Sequence, residues 1–163
     1  MPPGSIAGMT TPLLLTDIER AVRSSWSAET CTPEYRSRWT AENPARDQCG
    51  VTAMVLNDLL GGEVVRGEVH VDGVRVDYHW WNRLGPGIDV DLTREQFGPG
   101  EAVVGGTVIP RPPVSEWGRL REEYELLRER VLEALVGRRS TLPETFRRRA
   151  SEQWRNDTSV ASE

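Results

Sequence analysis

The chain has 163 residues, a net charge of −5 and 37% hydrophobic residues. This length suits one domain whose core needs no disulfide or metal support. The acidic balance argues against a nucleic-acid binder, because phosphate contacts need a basic surface. All 20 basic residues are arginine, so chemistry through a lysine Schiff base is excluded.

The segment 1–12 is rich in Pro, Gly and Thr and is predicted to be a flexible N-terminus. It lacks the basic region of a signal peptide, and no stretch of the chain is long and apolar enough to cross a membrane. Two cysteines, Cys31 and Cys49, are too few for a disulfide-rich secreted scaffold. We therefore expect a cytoplasmic protein with reduced thiols.

Two helices are predicted in the first half of the chain. The first begins at Thr16, as N-cap with Glu19 as its capping-box partner, and ends near Trp26. An irregular polar stretch follows, and residues 48–60 then form a helix that is apolar nearly all round, as expected for a buried helix. Gly61 ends this second helix.

Three antiparallel strands are predicted next. Residues 64–71 and 74–84 are joined by Asp72-Gly73, a strong hairpin signal. A second turn leads into a strand over 88–92, followed by a short helical turn that Thr93 caps. A Gly/Val/Pro-rich connection precedes the last helix.

The last predicted helix covers residues 114–136, with apolar residues at alternating spacings of three and four. Residues 138–163 form an arginine-rich tail that is expected to be partly helical or disordered. The organisation is thus a single α+β domain over residues 13–137, with a helix on a small antiparallel sheet and a long C-terminal helix.

Cys49 is the first candidate for chemistry. It lies at the expected N-terminus of the buried helix, where free backbone N–H groups favour a thiolate. A histidine with a carboxylate behind it is what a cysteine nucleophile needs for activation. His79 and Asp91 follow in that order on predicted strands.

The strand pattern brings His79 and Asp91 together. If the turn pairs Asn82 with Ile88, His79 lies opposite Asp91, with Cβ atoms about 5 Å apart. Apolar residues of both strands then share the other face. In this register the buried helix has to cover the face that carries His79, and the C-terminal helix has to cover the opposite face.

A tetrahedral intermediate needs donors for its oxyanion. The backbone N–H of Cys49 and the side-chain amide of Gln48 are the candidates. Trp81 lies on the same strand face as His79 and is a candidate for substrate binding.

Two other interpretations use the same residues. Cys49 can be an inert core residue, which is the usual role of a cysteine on a buried helix. Alternatively, His79 and Asp91 can join Asp77 and Asp89 in a divalent-metal site rich in oxygen ligands. This site would leave Cys49 without a role and supplies only one nitrogen ligand, so a Cys-His-Asp triad without metal or other cofactor is preferred.

Several motifs together resemble the YunG-like family of small bacterial proteins, over a span from about Leu13 to Val136. The motifs are Asn43-Pro44, Gln48-Cys49-Gly50-Val51-Thr52-Ala53, Asp58-Leu59-Leu60-Gly61-Gly62-Glu63, His79-Trp80-Trp81-Asn82-Arg83-Leu84 and Asp91-Leu92-Thr93-Arg94-Glu95-Gln96-Phe97. The resemblance implies a papain-like or transglutaminase-like core with Cys49, His79 and Asp91 as the triad.

The expected activity is hydrolysis of an amide or thioester bond in a small-molecule or peptide substrate, through an acyl-thioenzyme. Two alternatives remain open. One is an acyltransferase of the transglutaminase type that uses the same triad, and the other is a non-catalytic binding or adaptor protein with an idle site. The fold alone does not choose among them.

Overall fold

The three-dimensional structure is a computed structural model that describes residues 12–118 and 120–137. The predicted flexible N-terminus, apart from Pro12, and the predicted arginine-rich tail lie outside the described residues.

The described chain is an α+β domain with three helices and one antiparallel sheet. The helices are α1 (Leu15–Ser25), α2 (Cys49–Leu60) and α3 (Leu120–Val136), and the strands are β1 (Glu63–Val71), β2 (Val74–Gly85), β3 (Ile88–Val90) and β4 (Glu101–Ile109). The strand order in the sheet is β3-β2-β1-β4. None of the helices in the described ranges is long and apolar enough to cross a membrane.

Strand β4 stands where the sequence predicted an irregular connection. It pairs with β1, and a bulge interrupts the pairing between Arg66 and Glu68. The ring of Trp81 covers the glycines of this region so closely that a Cβ on Gly67 or Gly106 would come within 2.9 Å of it. Gly67 of β1 and Gly106 of β4 are therefore required by the packing of Trp81 on the two strands.

Two helix starts also differ from the prediction. Helix α1 begins before Thr16, because the Asp17 carboxylate accepts a hydrogen bond from the Leu14 backbone N–H at 3.1 Å. Helix α3 begins at Leu120 instead of residue 114. Gly118, with φ of +54°, interrupts the chain between an isolated 3₁₀ turn and the helix.

Helix α2 packs on the sheet face that carries Trp80 and Asn82. The Asn82 side chain is buried and donates a hydrogen bond to the Ala53 carbonyl oxygen of α2 at 2.8 Å. Helix α3 packs mainly against α1 and α2. The expected sandwich, with α2 over the face of His79 and α3 over the opposite face, is therefore wrong, because α2 covers the apolar face.

A buried polar cluster joins α2 to α3 within this core. The Tyr124 hydroxyl donates to Asp58 Oδ2 at 2.5 Å, and Arg111 Nη1 lies 2.7 Å from Asp58 Oδ1. Burial raises the pKa of Asp58 although both neighbours oppose the shift. Asp58 therefore depends on these partners for its charge.

Candidate functional site

Cys49 is the first residue of α2, and the turn before it is conformationally constrained. Asp47 has a φ of +59°, a left-handed conformation that is uncommon for residues other than glycine. Its backbone N–H donates to Gln96 Oε1 at 3.2 Å, and its carboxylate accepts from Arg38 Nη2 at 2.9 Å. These contacts hold a strained turn that presents Cys49, and such strain is concentrated at functional sites.

His79 and Asp91 are hydrogen-bonded to each other. His79 Nε2 lies 2.7 Å from Asp91 Oδ2. The second carboxylate oxygen, Asp91 Oδ1, accepts from the backbone N–H of Thr93 at 3.2 Å and from its hydroxyl at 3.3 Å. The Asp91 carboxylate is thus held in place by Thr93, and it fixes one nitrogen of the His79 ring.

The register behind this contact differs from the predicted one. Asn82 pairs with Val90, not with Ile88, so the predicted pairing is wrong by two residues. In the observed register Asp91 follows the end of β3, diagonal to His79 and still within side-chain reach. A shift of two residues keeps every side chain on its face, whereas a shift of one would have reversed the faces.

Two aromatic rings enclose His79, which is fully buried. The Trp81 ring stacks on it with centroids 5.6 Å apart, and the Phe97 ring meets it edge-on at 4.8 Å. Burial lowers the pKa of His79, but the hydrogen bonds and charges of Asp91 and Cys49 outweigh burial and raise the pKa from 6.5 to about 9. The thiol of Cys49 therefore lies close enough to interact with the ring.

Gln96 is part of the site although sequence reasoning gave it no role. Its Nε2 lies 3.3 Å from His79 Nδ1 and donates to the Thr93 carbonyl oxygen at 3.1 Å, while its Oε1 accepts from Asp47. One buried amide thus connects the histidine ring to the turn that precedes Cys49. The available sequence signal was its position three residues after Thr93 and next to Phe97.

Gln48 is placed differently from the expectation for an oxyanion donor. Its side chain is fully buried, and its Nε2 donates to the Ser27 carbonyl oxygen at 2.9 Å and to Cys31 Sγ at 3.1 Å. Its Oε1 accepts from the Thr30 hydroxyl at 2.7 Å. Both amide hydrogens are engaged, so the side chain anchors the segment before α2 and does not face a substrate.

Trp81, the residue predicted to bind substrate, lies beside His79 and against the sheet. Its ring lies between His79 and the glycines of β1 and β4, and its Nε1 donates to Asp89 Oδ2 at 2.9 Å. Asp89 is further paired with Arg83, whose Nε lies 2.7 Å from Asp89 Oδ1.

Over residues 12–118 and 120–137, no three His, Cys, Asp or Glu side chains converge as metal ligands would. The geometry therefore does not support the metal alternative.

Comparison with known proteins identifies the family. A family model described as "YunG protein" matches residues 14–136. This chain belongs to the YunG family. It is 35% identical over 82 residues to "Uncharacterized protein YunG" of Bacillus subtilis (strain 168), a match that covers 49% of this chain and 60% of the relative. No solved structure matches the chain significantly.

In this YunG-family chain Cys49 lines an open cleft of about 290 Å³. The charged residues of the cleft are largely paired: Arg38 with Asp47, and Arg46 with Glu101 at 2.9 Å. The Cys49 thiol in this cleft lies beside a histidine that is held by a carboxylate. Chemically, this arrangement can form a thiolate and deliver a proton to a leaving group.

Proposed function

We propose that this protein is a cysteine-dependent hydrolase of an amide or thioester bond, with Cys49 as nucleophile, His79 as general acid and base, and Asp91 as the group that orients His79. The observation that carries the proposal is the 2.7 Å hydrogen bond between His79 Nε2 and Asp91 on a ring that also interacts with Cys49. A nucleophile helix packed on an antiparallel sheet supports a core of the papain or transglutaminase type.

The raised pKa of His79 favours an ion pair in the resting site. With Nε2 held by Asp91, Nδ1 is the nitrogen that remains for Cys49. The thiol proton moves to Nδ1, and the thiolate is stabilised further by the N-terminus of α2. Protonated Nδ1 no longer accepts from Gln96, so one amide hydrogen of Gln96 becomes free while Nε2 still donates to the Thr93 carbonyl oxygen.

The reaction then takes two stages. The Cys49 thiolate forms a bond to the carbonyl carbon, and the carbonyl electron pair moves to oxygen. As this tetrahedral intermediate collapses, the bond to the leaving nitrogen or sulfur breaks and His79 gives its proton to that group. Water then attacks the acyl-thioenzyme while His79 takes the water proton, and the acid product leaves with regeneration of the thiolate.

The oxyanion needs donors near the sulfur. The backbone N–H of Cys49 lies in the first turn of α2, where N–H groups have no acceptor within the helix. The Gln96 side-chain amide is the second donor, in place of Gln48, whose amide hydrogens are engaged elsewhere. Donors of this kind contribute about 10²- to 10³-fold to the rate in acyl-transfer enzymes.

Thiol reactivity provides the first test, and Cys31 serves as the internal control. Cys31 is fully buried, and burial together with the charge of Asp47 raises its pKa to about 12. We expect iodoacetamide at pH 7 to modify Cys49 much faster than Cys31, and His79→Ala to slow only the reaction at Cys49. Peptide mass spectrometry quantifies both sites, and equal rates at the two cysteines would refute the assignment of the nucleophile.

Turnover provides the second test. A panel of acyl-coumarin amides and thioesters is incubated with the wild type and with Cys49→Ser, and intact mass reports any trapped acyl adduct. We expect an adduct on the wild type alone. Release by water supports a hydrolase, whereas release only after addition of an amine would identify an acyltransferase. A reactive Cys49 that forms no adduct with any member would favour the idle binding protein.

A further inference from the structure

A β-bulge shapes one wall of the cleft that Cys49 lines. The pairing of β1 with β2 is irregular between Val69 and His70, where Val76 is an extra residue in β2. Alternate residues of a regular strand point to opposite faces, yet Val76 and Asp77 both line the cleft. Bulges redirect side chains in this way and are common next to active sites.

The charged side chains of the cleft include one carboxylate more than they do arginines. Arg38 donates to both oxygens of Asp47, at 3.3 and 2.9 Å. Arg46 Nη1 donates to both oxygens of Glu101, at 3.0 and 2.9 Å. Asp77 is the third carboxylate of the lining, so two arginines face three carboxylates and these five side chains have a net charge of −1.

Asp77 is available to a ligand. It is exposed, and its Oδ1 accepts from the backbone N–H of Tyr78 at 2.8 Å. In the part of the chain that the structure describes, no basic side chain lies within 4.0 Å of this carboxylate. Its charge helps to raise the pKa of Arg46, but the hydrogen bond from Glu101 is the largest cause of that shift. Asp77 can therefore pair with a cation from solution without breaking an existing ion pair.

Apolar side chains line the cleft beside Asp77. They include Val69, Val71, Val76 and Phe97, and Val76 is 57% exposed. Surface of this kind suits the methylene groups of a long cationic side chain, which contact apolar residues while the charged end stays near water. The cleft thus offers contacts for an aliphatic stem and a counter-ion for its charge.

We propose that this cleft binds a substrate whose aliphatic ammonium or guanidinium group pairs with Asp77, while Cys49 attacks a bond about 7 Å away. The distance follows from β2, where the pairing with β1 is regular from Asp77 to His79. These two residues share one strand face, and each residue adds about 3.3 Å along the strand. The inference rests on the proposed function and adds a substrate class to it. Asp77 determines specificity and takes no part in the proton transfers.

The test compares three methanethiosulfonates of similar size, which carry a cationic trimethylammonioethyl, a neutral hydroxyethyl or an anionic sulfonatoethyl group. The Cys49 thiolate forms a disulfide bond to the sulfenyl sulfur of the reagent, and methanesulfinate leaves with the electron pair of the broken S–S bond. Intact mass gives each rate, which is divided by the rate of the same reagent with free mercaptoethanol. We expect the ratio of the cationic to the anionic normalised rate to be at least about threefold, the size of an exposed ion-pair contribution.

Substitutions at Asp77 separate a local effect from the negative charge of the whole chain. Asp77→Asn keeps the oxygen that accepts from Tyr78 but removes the charge, and should lower the ratio by about two- to fivefold without changing the neutral rate. Asp77→Arg should reverse the preference in favour of the anionic reagent.

Glu63→Gln is the matched control. Glu63 is exposed and begins β1, six residues before Val69 of the cleft, so its charge is screened there at physiological salt, where the Debye length is about 8 Å. The control should retain the wild-type ratio. A ratio that Asp77→Asn leaves unchanged, or that Glu63→Gln lowers equally, would overturn the proposal.

A binding measurement separates this inference from the proposed function. N-acetyl-lysinamide is titrated into Cys49→Ser, with uncharged N-acetyl-norleucinamide as the control ligand, and the backbone amide NMR signals of Asp77 and Tyr78 are followed. Saturable shifts that are specific to the cation and that Asp77→Asn removes would support the subsite even if Cys49 reacts with no reagent, which would end the hydrolase proposal alone. Equal shifts with the two ligands would overturn the subsite, while a reactive Cys49 leaves the hydrolase proposal intact.

Discussion

The contribution of Asp91 to the reactivity of Cys49 can be predicted with a magnitude. Asp91→Asn keeps an oxygen that accepts from His79 Nε2 but removes the charge, whereas Asp91→Ala removes both. Each change destabilises the imidazolium and so reduces the population of the thiolate ion pair at neutral pH. The rate of alkylation of Cys49 should fall in the order wild type, Asp91→Asn, Asp91→Ala.

The size of the effect follows from the pKa of His79. The shift from 6.5 to about 9 corresponds to about 3 kcal/mol in favour of the charged ring. The bond to Asp91 is the largest contribution that raises the pKa, followed by the interaction with Cys49. A charge-assisted hydrogen bond is about twice as strong as a neutral one. We therefore expect a decrease of about tenfold for Asp91→Asn and of up to about 100-fold for Asp91→Ala.

The assay is timed alkylation with iodoacetamide at pH 7, with the modified peptide containing Cys49 quantified by mass spectrometry. Asp89→Asn is the matched control, because Asp89 is exposed and pairs with Arg83, and the asparagine keeps an oxygen that can accept from Trp81 Nε1. If folded Asp91→Ala reacted as fast as the wild type, the triad argument would be refuted.

Three further predictions concern neighbouring groups. Gln96→Ala should slow alkylation of Cys49 by about three- to tenfold, since it removes the hydrogen bond of about 1 kcal/mol from the Asp47 backbone N–H to Gln96 Oε1 that holds the turn before Cys49. Peptide mass spectrometry measures the rate, and an unchanged rate contradicts the bridging role. In Cys49→Ser, the bond to Asp91 still raises the pKa of His79, so the protonated ring should stabilise the fold fully below pH 6.5. This contribution, less than about 3 kcal/mol, should be lost as the pH rises through the folded pKa of His79. Urea unfolding against pH tests it, with His79→Gln in the same background as the flat control. Tyr124→Phe should lower the free energy of unfolding by about 1–3 kcal/mol, because buried Asp58 loses a partner, and should leave alkylation of Cys49 unchanged; a slower alkylation would link this core cluster to the site.

The sequence predicted the contact between His79 and Asp91, although the strand pairing that was used to bring them together is wrong. The expected pairing of Asn82 with Ile88 is off by two residues, yet His79 and Asp91 are in contact. Alternation along a strand determines which side chains share a face, and a shift of two residues preserves the faces. The turn between β2 and β3, with its irregularity near Gly85, determines the register, and its geometry was not evident from composition.

The missed features depend on contacts between distant parts of the chain. Strand β4 is stabilised by pairing with β1 and by the packing of Trp81 over glycines, neither of which a local pattern contains. The contacts of Gln48 and Gln96 were likewise not predicted. Gln48 directly precedes Cys49 and was for that reason expected to be an oxyanion donor. In the fold, the backbone before α2 turns the Gln48 side chain towards Thr30 and Cys31.

Strand β3 is short, and this length matters for the site. It explains how Cys49, on a helix that covers the apolar face of the sheet, can lie near His79, which is on the other face. Strand β3 pairs with β2 only from Asn82 to Gly85, so within the described chain no strand lies next to His79 on the side of β2 that faces away from β1. The ring is reached there by Asp91 and Gln96 from the segment that follows β3, and by Cys49 from the first turn of α2. A longer β3 would continue the ladder past His79 and occupy this edge. The early end of β3 is therefore a structural requirement for the site. We expect that extending β3 beyond Val90, with further pairing to β2, would separate Cys49 from His79.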